Sequence, residues 1–349
     1  MSSAAHAPRS WLIGHPDAAI NLRVDRRNVL VCALLALCCA ALVIASLCAG
    51  TLALSLHEVW AALSGEGSPL ATAVVTQWRL PRAVTALVLG AALGISGAIF
   101  QSLVRNPLGS PDIISFNTGA HTGALVTIIL LGGSYVEIAG GAIVGGLATA
   151  LVVYALAWRR GIHGFRLIVI GIAVSAMLGA FNTWLSITGS LESALTAALW
   201  AAGSLNGMTW AKSLPASAFC VLAMAAAMLL ARRMQFLEMG DDCAAALGIP
   251  AERTRLLLMA LGTTLIAAST AAAGPISFIA LAAPQIARRL CHNRSTLTGA
   301  AGVGAALLLA ADFVAQHCFT PRQLPVGVVT VSIGGIYLVY LLIREARRS

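Results

Sequence analysis

Apolar residues run through this chain in long blocks, separated by short polar segments that hold nearly all of the charge. Blocks at residues 29–50, 83–103, 113–133, 138–158, 167–187, 214–231 and 326–343 each reach the length a helix needs to cross a hydrocarbon layer. The block at 297–311 is shorter and is read as a further span.

Residues 256–287 carry no charge over 32 positions, too many for one ordinary span. Arg253 and Arg255 precede this stretch, and Arg288, Arg289 and Arg294 follow it. If both ends face the same side, the chain crosses twice and turns at Gly274–Pro275, where proline removes a backbone donor. The pattern therefore predicts an all-α polytopic membrane protein of about ten transmembrane helices. The second half of the split stretch, from Ile276 to Ala287, is only about 18 Å long as a helix and needs shielding by protein or a watery cavity. Such a broken segment points to a translocation pathway.

On this topology 18 of the 22 basic residues fall on one side, so both termini are expected in the cytoplasm. The opposite side holds Arg79, Arg82, Lys212 and Arg322. The chain then divides into a polar N-terminal extension at 1–28, a membrane domain at 29–343 and a basic tail at 344–349. Five spans before the loop at 188–213 and five after it would allow an inverted repeat. Trp78, Trp158, Trp200 and Trp210 fall near the predicted interfaces, where indoles are comfortable.

Composition removes most alternatives. With 59% apolar and 10% charged residues, a soluble enzyme is excluded. The net charge of +9 is scattered in twos and threes between apolar blocks, which disfavours nucleic acid as a partner. The eight cysteines form no Cys-x-x-Cys and no zinc spacing, and no metal or cofactor is expected. The single lysine, in Ala211-Lys212-Ser213, cannot complete a phosphate-binding loop, so the chain lacks a standard ATP site. No His-Glu-x-x-His or Gly-x-Ser-x-Gly is present. Asp112, Asp312 and a solitary His121 are the few ionisable groups near the spans, a thin set for an ion-driven carrier.

Between the spans, Ser55-Leu56-His57-Glu58 has capping-box spacing, with Gly65 as a stop. Leu195, Leu199 and Trp200, ending at Gly203, predict an amphipathic helix across the outer mouth, either a lid or a passive interfacial helix. In the cytoplasmic loop, Asp241 can cap a short helix and Gly248 can stop it. Cys243, Ala244 and Leu247 would then form a small-residue face suited to another protein's groove.

Trp78-Arg79-Leu80-Pro81-Arg82, the block GAALGISGAIFQSLVRNPLGSPDIISFNTGA at 90–120, GPISFIALAAPQIARR at 274–289 and QLPVGVVTVSIGG at 323–335 resemble the iron-siderophore and vitamin B12 permease family of ABC importers. SLNGMTWAKS and GGIYLVYLLIREARR are most similar to its ferric-enterobactin branch. The resemblance implies a permease subunit that moves a ferric siderophore of catecholate type across the inner membrane. It implies a second, related permease chain, two cytoplasmic ATPase subunits and a periplasmic siderophore-binding protein. Residues 239–248, with Asp241, Asp242, Cys243, Ala244, Leu247 and Gly248, correspond to the family's ATPase-coupling helix. Arg79, Arg82 and Arg322 match the outer arginines that meet acidic residues of the binding protein. Candidate polar pathway positions are Asn117, Thr118, His121, Asn182, Thr183 and Gln285. Alternatives are an ion-gradient carrier of a small polar solute, or a same-family permease for another iron chelate, haem or vitamin B12.

Overall fold

The computed structural model describes residues 10–13, 22–112, 115–158, 164–291, 296–318 and 323–346. It opens with a short antiparallel ladder of β1 (Ser10–Ile13) and β2 (Leu22–Asp25), in which Ser10 lies opposite Asp25. The polar composition of the N-terminal extension gave no sign of this ladder.

The remaining elements are helical. They are α1 (Arg26–Cys48), α2 (Leu56–Ser64), α3 (Pro69–Ala73), α4 (Leu80–Val104), α5 (Phe116–Val126), α6 (Tyr135–Ala157), α7 (Gly164–Thr188) and α8 (Leu191–Ala201). Then follow α9 (Trp210–Leu229), α10 (Ala231–Glu238), α11 (Asp241–Ala246), α12 (Ala251–Ala273), α13 (Ile279–Leu290), α14 (Leu297–His317) and α15 (Val326–Ala346). Among the described residues, seven helices are long and apolar enough to cross a membrane, and two shorter apolar helices accompany them.

Two helix ends depart from the apolar pattern. The block expected to start at residue 83 belongs to one continuous helix over Pro69–Val104, 36 residues and about 54 Å long at helical rise. Pro81 is tolerated because the wide turn at Val74–Arg79 loosens the ladder just before it, with Leu80 N–H reaching Val75 O. The block expected to end at 311 continues to His317, because Arg82 neutralises Asp312 inside the helix.

The core is built on α4, with α12, α13 and α14 packed around it. Gly90, Gly94 and Gly97 line one stripe of α4: a Cβ at Gly94 would strike the Ala300 carbonyl, and one at Gly97 the Ala280 carbonyl. Small residues at such spacing let helix backbones touch, which gives dispersion contact where the hydrophobic effect between helices is weak. Some polar groups inside this core bond across helices: Ser96 donates to Gly262 O at 2.7 Å and the Gln101 amide nitrogen to Leu281 O at 3.0 Å. By contrast, α1 and α7 expose most of their apolar side chains.

The bundle has two ends, one bearing α8 and the other bearing α10 and α11. At the α8 end, α12 stops at Gly274 (φ +73°) and the chain runs without regular structure to Phe278 before α13 starts. The break expected at Gly274–Pro275 is therefore a five-residue interruption, and α13 has 12 residues. The Gly203 turn (φ +65°) lies against this segment so closely that a Cβ there would overlap the Pro275 carbonyl.

Candidate functional site

At the α11 end, Gly240 (φ +125°) precedes α11 and Asp241 is its first helical residue, so Asp241 does not cap the helix as the sequence suggests. Its carboxylate instead takes Arg105 and Arg255, at 2.7 and 2.8 Å. Burial works to raise the Asp241 carboxyl, but the Arg255 hydrogen bond and both positive charges outweigh it and hold the carboxyl below its ordinary range. Gly248 (φ +73°) does end the helix: its N–H reaches Ala245 O and the Ile249 N–H reaches Ala244 O, a Schellman closure.

The expected face of Cys243, Ala244 and Leu247 is divided. Ala244 is fully buried against the chain, while Asp242, Cys243 and Leu247 are exposed. Ala244 is small enough to sit beneath the helix, leaving its neighbours outward. Nearby, Glu238 faces Arg288 at 3.6 Å.

A second constellation joins the α4–α5 loop to the broken helix. Asp112 Oδ1 accepts from the Asn117 amide, Asp112 Oδ2 accepts from Phe278 N–H at 3.3 Å, and Thr270 donates to Asn117 Oδ1 at 2.9 Å. Burial pushes the Asp112 carboxyl up to about 6, against the lowering effect of the Phe278 N–H. Phe278 sits at φ +70°, a costly backbone for a bulky residue, and its ring lies against Gly334 on α15. Gln285 donates to Pro107 O at 2.8 Å, fastening α13 to the same loop.

The other sequence candidates fall into separate contacts. Thr118 and Ser175 hydroxyls are 3.2 Å apart, linking α5 to α7. His121 is stacked on Trp200, with centroids 6.0 Å apart and planes at 11°. Asn182 is buried, whereas Thr183 is exposed and donates to Gly179 O within its own helix.

At the α8 end, an open cavity of about 770 Å³ is lined by Trp78, Arg79, Arg82, Thr209, Gln316 and His317 among others. Arg79 donates to Leu47 O and Leu52 O, both at 2.6 Å, closing the carbonyl end of α1. Arg82 is paired with Asp312, and both side chains are nearly buried. Arg322 lies outside the described residues. Two of the four tryptophans expected near interfaces, both half-buried, make contacts within the chain: Trp200 meets His121, and Trp210 Nε1 donates to Thr76 O at 2.7 Å. The capping box at Ser55 and Glu58, with Gly65 at the stop, is formed as expected.

Among the described residues, no group of three or more His, Cys, Asp or Glu could hold a metal ion. The sequence matches the FecCD transport family over residues 37–344. This chain belongs to the FecCD transport family. The FecCD-family chain is 59% identical over 327 residues to the ferric enterobactin transport system permease protein FepG of Escherichia coli K12, covering 93% of this chain and 99% of that one. It is 35% identical to the achromobactin transport system permease protein CbrC of Dickeya dadantii, covering 96% of each. A metal-chelate-type ABC transporter solved in an inward-facing conformation has the same fold, with TM-score 0.82 at 27% identity over 90% of this chain and 99% of that one. The FecCD-family chain is thus a multi-pass membrane protein of a transport family.

Sequence reasoning did not pick out Arg105, Arg255, Thr270, Ser175 and Phe278 as site residues. Arg105 and Arg255 stand at the polar margins of apolar blocks, a position that reads equally as topology signal and as ion-pair partner.

Proposed function

We propose that this protein is the permease subunit of an ABC importer that carries a ferric siderophore of catecholate, enterobactin type across the bacterial inner membrane. The 59% identity running the length of a ferric enterobactin permease protein carries the reading. In this reading the seven long apolar helices, the two shorter ones and α13 make up ten segments that pass through or into the membrane, with both termini and the α11 end in the cytoplasm. ATP is hydrolysed on two partner subunits, which meet the exposed face of α11 at Asp242, Cys243 and Leu247. Their cycle shifts the bundle between outward-open and inward-open populations.

A second, related permease and lipid share the exposed apolar side chains of α7, which include Phe165, Met177, Trp184 and Ile187. A periplasmic siderophore-binding protein covers the cavity at the α8 end. Arg79 and Arg82 already hold groups of their own chain, so they shape that cavity; Arg79, bonded only to carbonyls, lends it positive charge, while the charge of Arg82 is met by Asp312, and Arg322 is a further docking arginine. Asn117, Thr118, His121, Asn182, Thr183 and Gln285 remain the proposed polar pathway positions.

The test is uptake of ferric enterobactin by vesicles containing the full complex, with ion gradients collapsed and ATP retained inside. Uptake should persist. Its loss would overturn the ATP-driven reading in favour of an ion-gradient carrier.

A further inference from the structure

The segment from α10 to α11 is fastened to three helices by charge. Arg105, at the end of α4, and Arg255, in the first turns of α12, converge on the same Asp241 oxygen. Arg288 of α13 faces Glu238 at the end of α10. Arg105 also donates to Leu237 O at 2.9 Å, and its backbone sits at φ +53° to do so. A helix of six residues has no orientation of its own, because isolated short helices do not hold together in water. What it packs on and what it is tied to set its direction: Ala244 beneath, the Schellman closure behind and Asp241 in front.

We infer that Asp241 is the junction through which movement of α11 reaches α4 and α12, a positioning residue for transport rather than a contact for the ATPase. The inference rests on the permease reading above. Asp241 points back into its own chain, while Asp242, Cys243 and Leu247 point away, so one short helix presents a receiving face and a transmitting group. Both arginines share one carboxylate oxygen, so α11 cannot shift without breaking a contact or drawing both helix ends with it. The helix reached through Arg105 is the central one. At its other end, Arg82 of α4 is clamped to Asp312 of α14. A pull at Asp241 is therefore delivered to a rod that is fixed by charge at both ends of the bundle.

Asp241 and Arg105 are each about half exposed, at 52% and 47%. Pairs this open contribute little to stability, so their value lies in geometry. Screening by salt should weaken them accordingly.

The test uses the complete complex reconstituted in liposomes, reading ATP hydrolysis, co-purification of the ATPase and ferric enterobactin taken up per ATP. In Asp241→Asn, the ATPase should stay bound and hydrolysis should continue, while uptake per ATP falls about fivefold or more, the scale of ordinary coupling effects. Asp241→Glu should recover most of the loss. Arg105→Gln, at a half-exposed site, cuts only the α4 arm and should give an intermediate loss, which keeps the inference testable if Asp241→Asn folds poorly. Unchanged uptake per ATP in Asp241→Asn, or in Arg105→Gln where only that variant folds, would overturn the inference alone. A fall in uptake that merely tracks loss of the ATPase would do the same. Wild-type uptake indifferent to ATP would overturn the permease reading and this inference with it.

Discussion

The Arg82 guanidinium grips the Asp312 carboxylate with two prongs, Nη2 to Oδ1 at 2.8 Å and Nε to Oδ2 at 3.0 Å, joining α4 to α14. Gln316 adds a bond to Oδ2 at 2.7 Å, so the carboxylate is fully engaged. Removing one partner of a nearly buried pair leaves an uncompensated charge, which costs about 3–5 kcal/mol. Asp312→Leu should therefore lower the melting temperature of the detergent-solubilised protein sharply, and Arg82→Met with Asp312→Leu should restore much of it. A double variant as unstable as the single one would refute this.

It follows that Arg82→Glu is a poor probe of docking, since it sets two carboxylates together in the bundle. Uptake lost in Arg79→Glu with Arg82→Glu should be accompanied by lost thermal stability. A normal melting temperature together with weakened affinity for the binding protein would instead assign the arginines to docking.

Asp112 gives a pH signature. Its folded carboxyl titrates near 6, above its ordinary 3.8, so between those values the folded chain holds more proton than the unfolded one. Stability should consequently fall as pH rises from about 4 to about 6 and then level off. Asp112→Asn should flatten that part of the melting-temperature profile. The same slope in the variant would assign it to other groups.

The α4 stripe predicts a steric result. Gly97→Leu places atoms where the Ala280 carbonyl already stands, and overpacking of this kind costs about 1–3 kcal/mol or more. The variant should express poorly or melt early, whereas Gly140→Leu, with open space around it, should melt near wild type. Equal melting temperatures for the two would mean that α4 does not touch α13 there.

Leu247, 59% exposed on α11, should tolerate aspartate in the isolated chain. In the complex, Leu247→Asp should release the ATPase during purification. Retention at the normal ratio would remove α11 from that contact.

Much of the architecture was legible because apolar blocks report spans directly, and Gly274–Pro275 marked the α12–α13 break through backbone chemistry alone. Helix ends were not legible where a charge is cancelled from far away: Asp312 looked like a terminus because its partner lies 230 positions earlier. The candidate polar residues were found by type, but spacing could not show that Asn117 and Gln285 hold the α4–α5 loop while Thr183 satisfies its own helix. Asp241 was found for its place in a helix start, and only the fold shows that two arginines from separate apolar blocks claim it.

The turn after α8 is laced into its surroundings on two sides, with Ser204 N–H on Ala273 O at 2.7 Å and Gly327 N–H on Gly203 O at 3.0 Å. It is thus shared masonry, a keystone on which the end of one long helix and the beginning of another both lean. A flap hinged at this corner would have to tear those backbone bonds to swing freely. In the proposed transport reading, opening beside this corner would tilt whole columns in preference to lifting a single shutter.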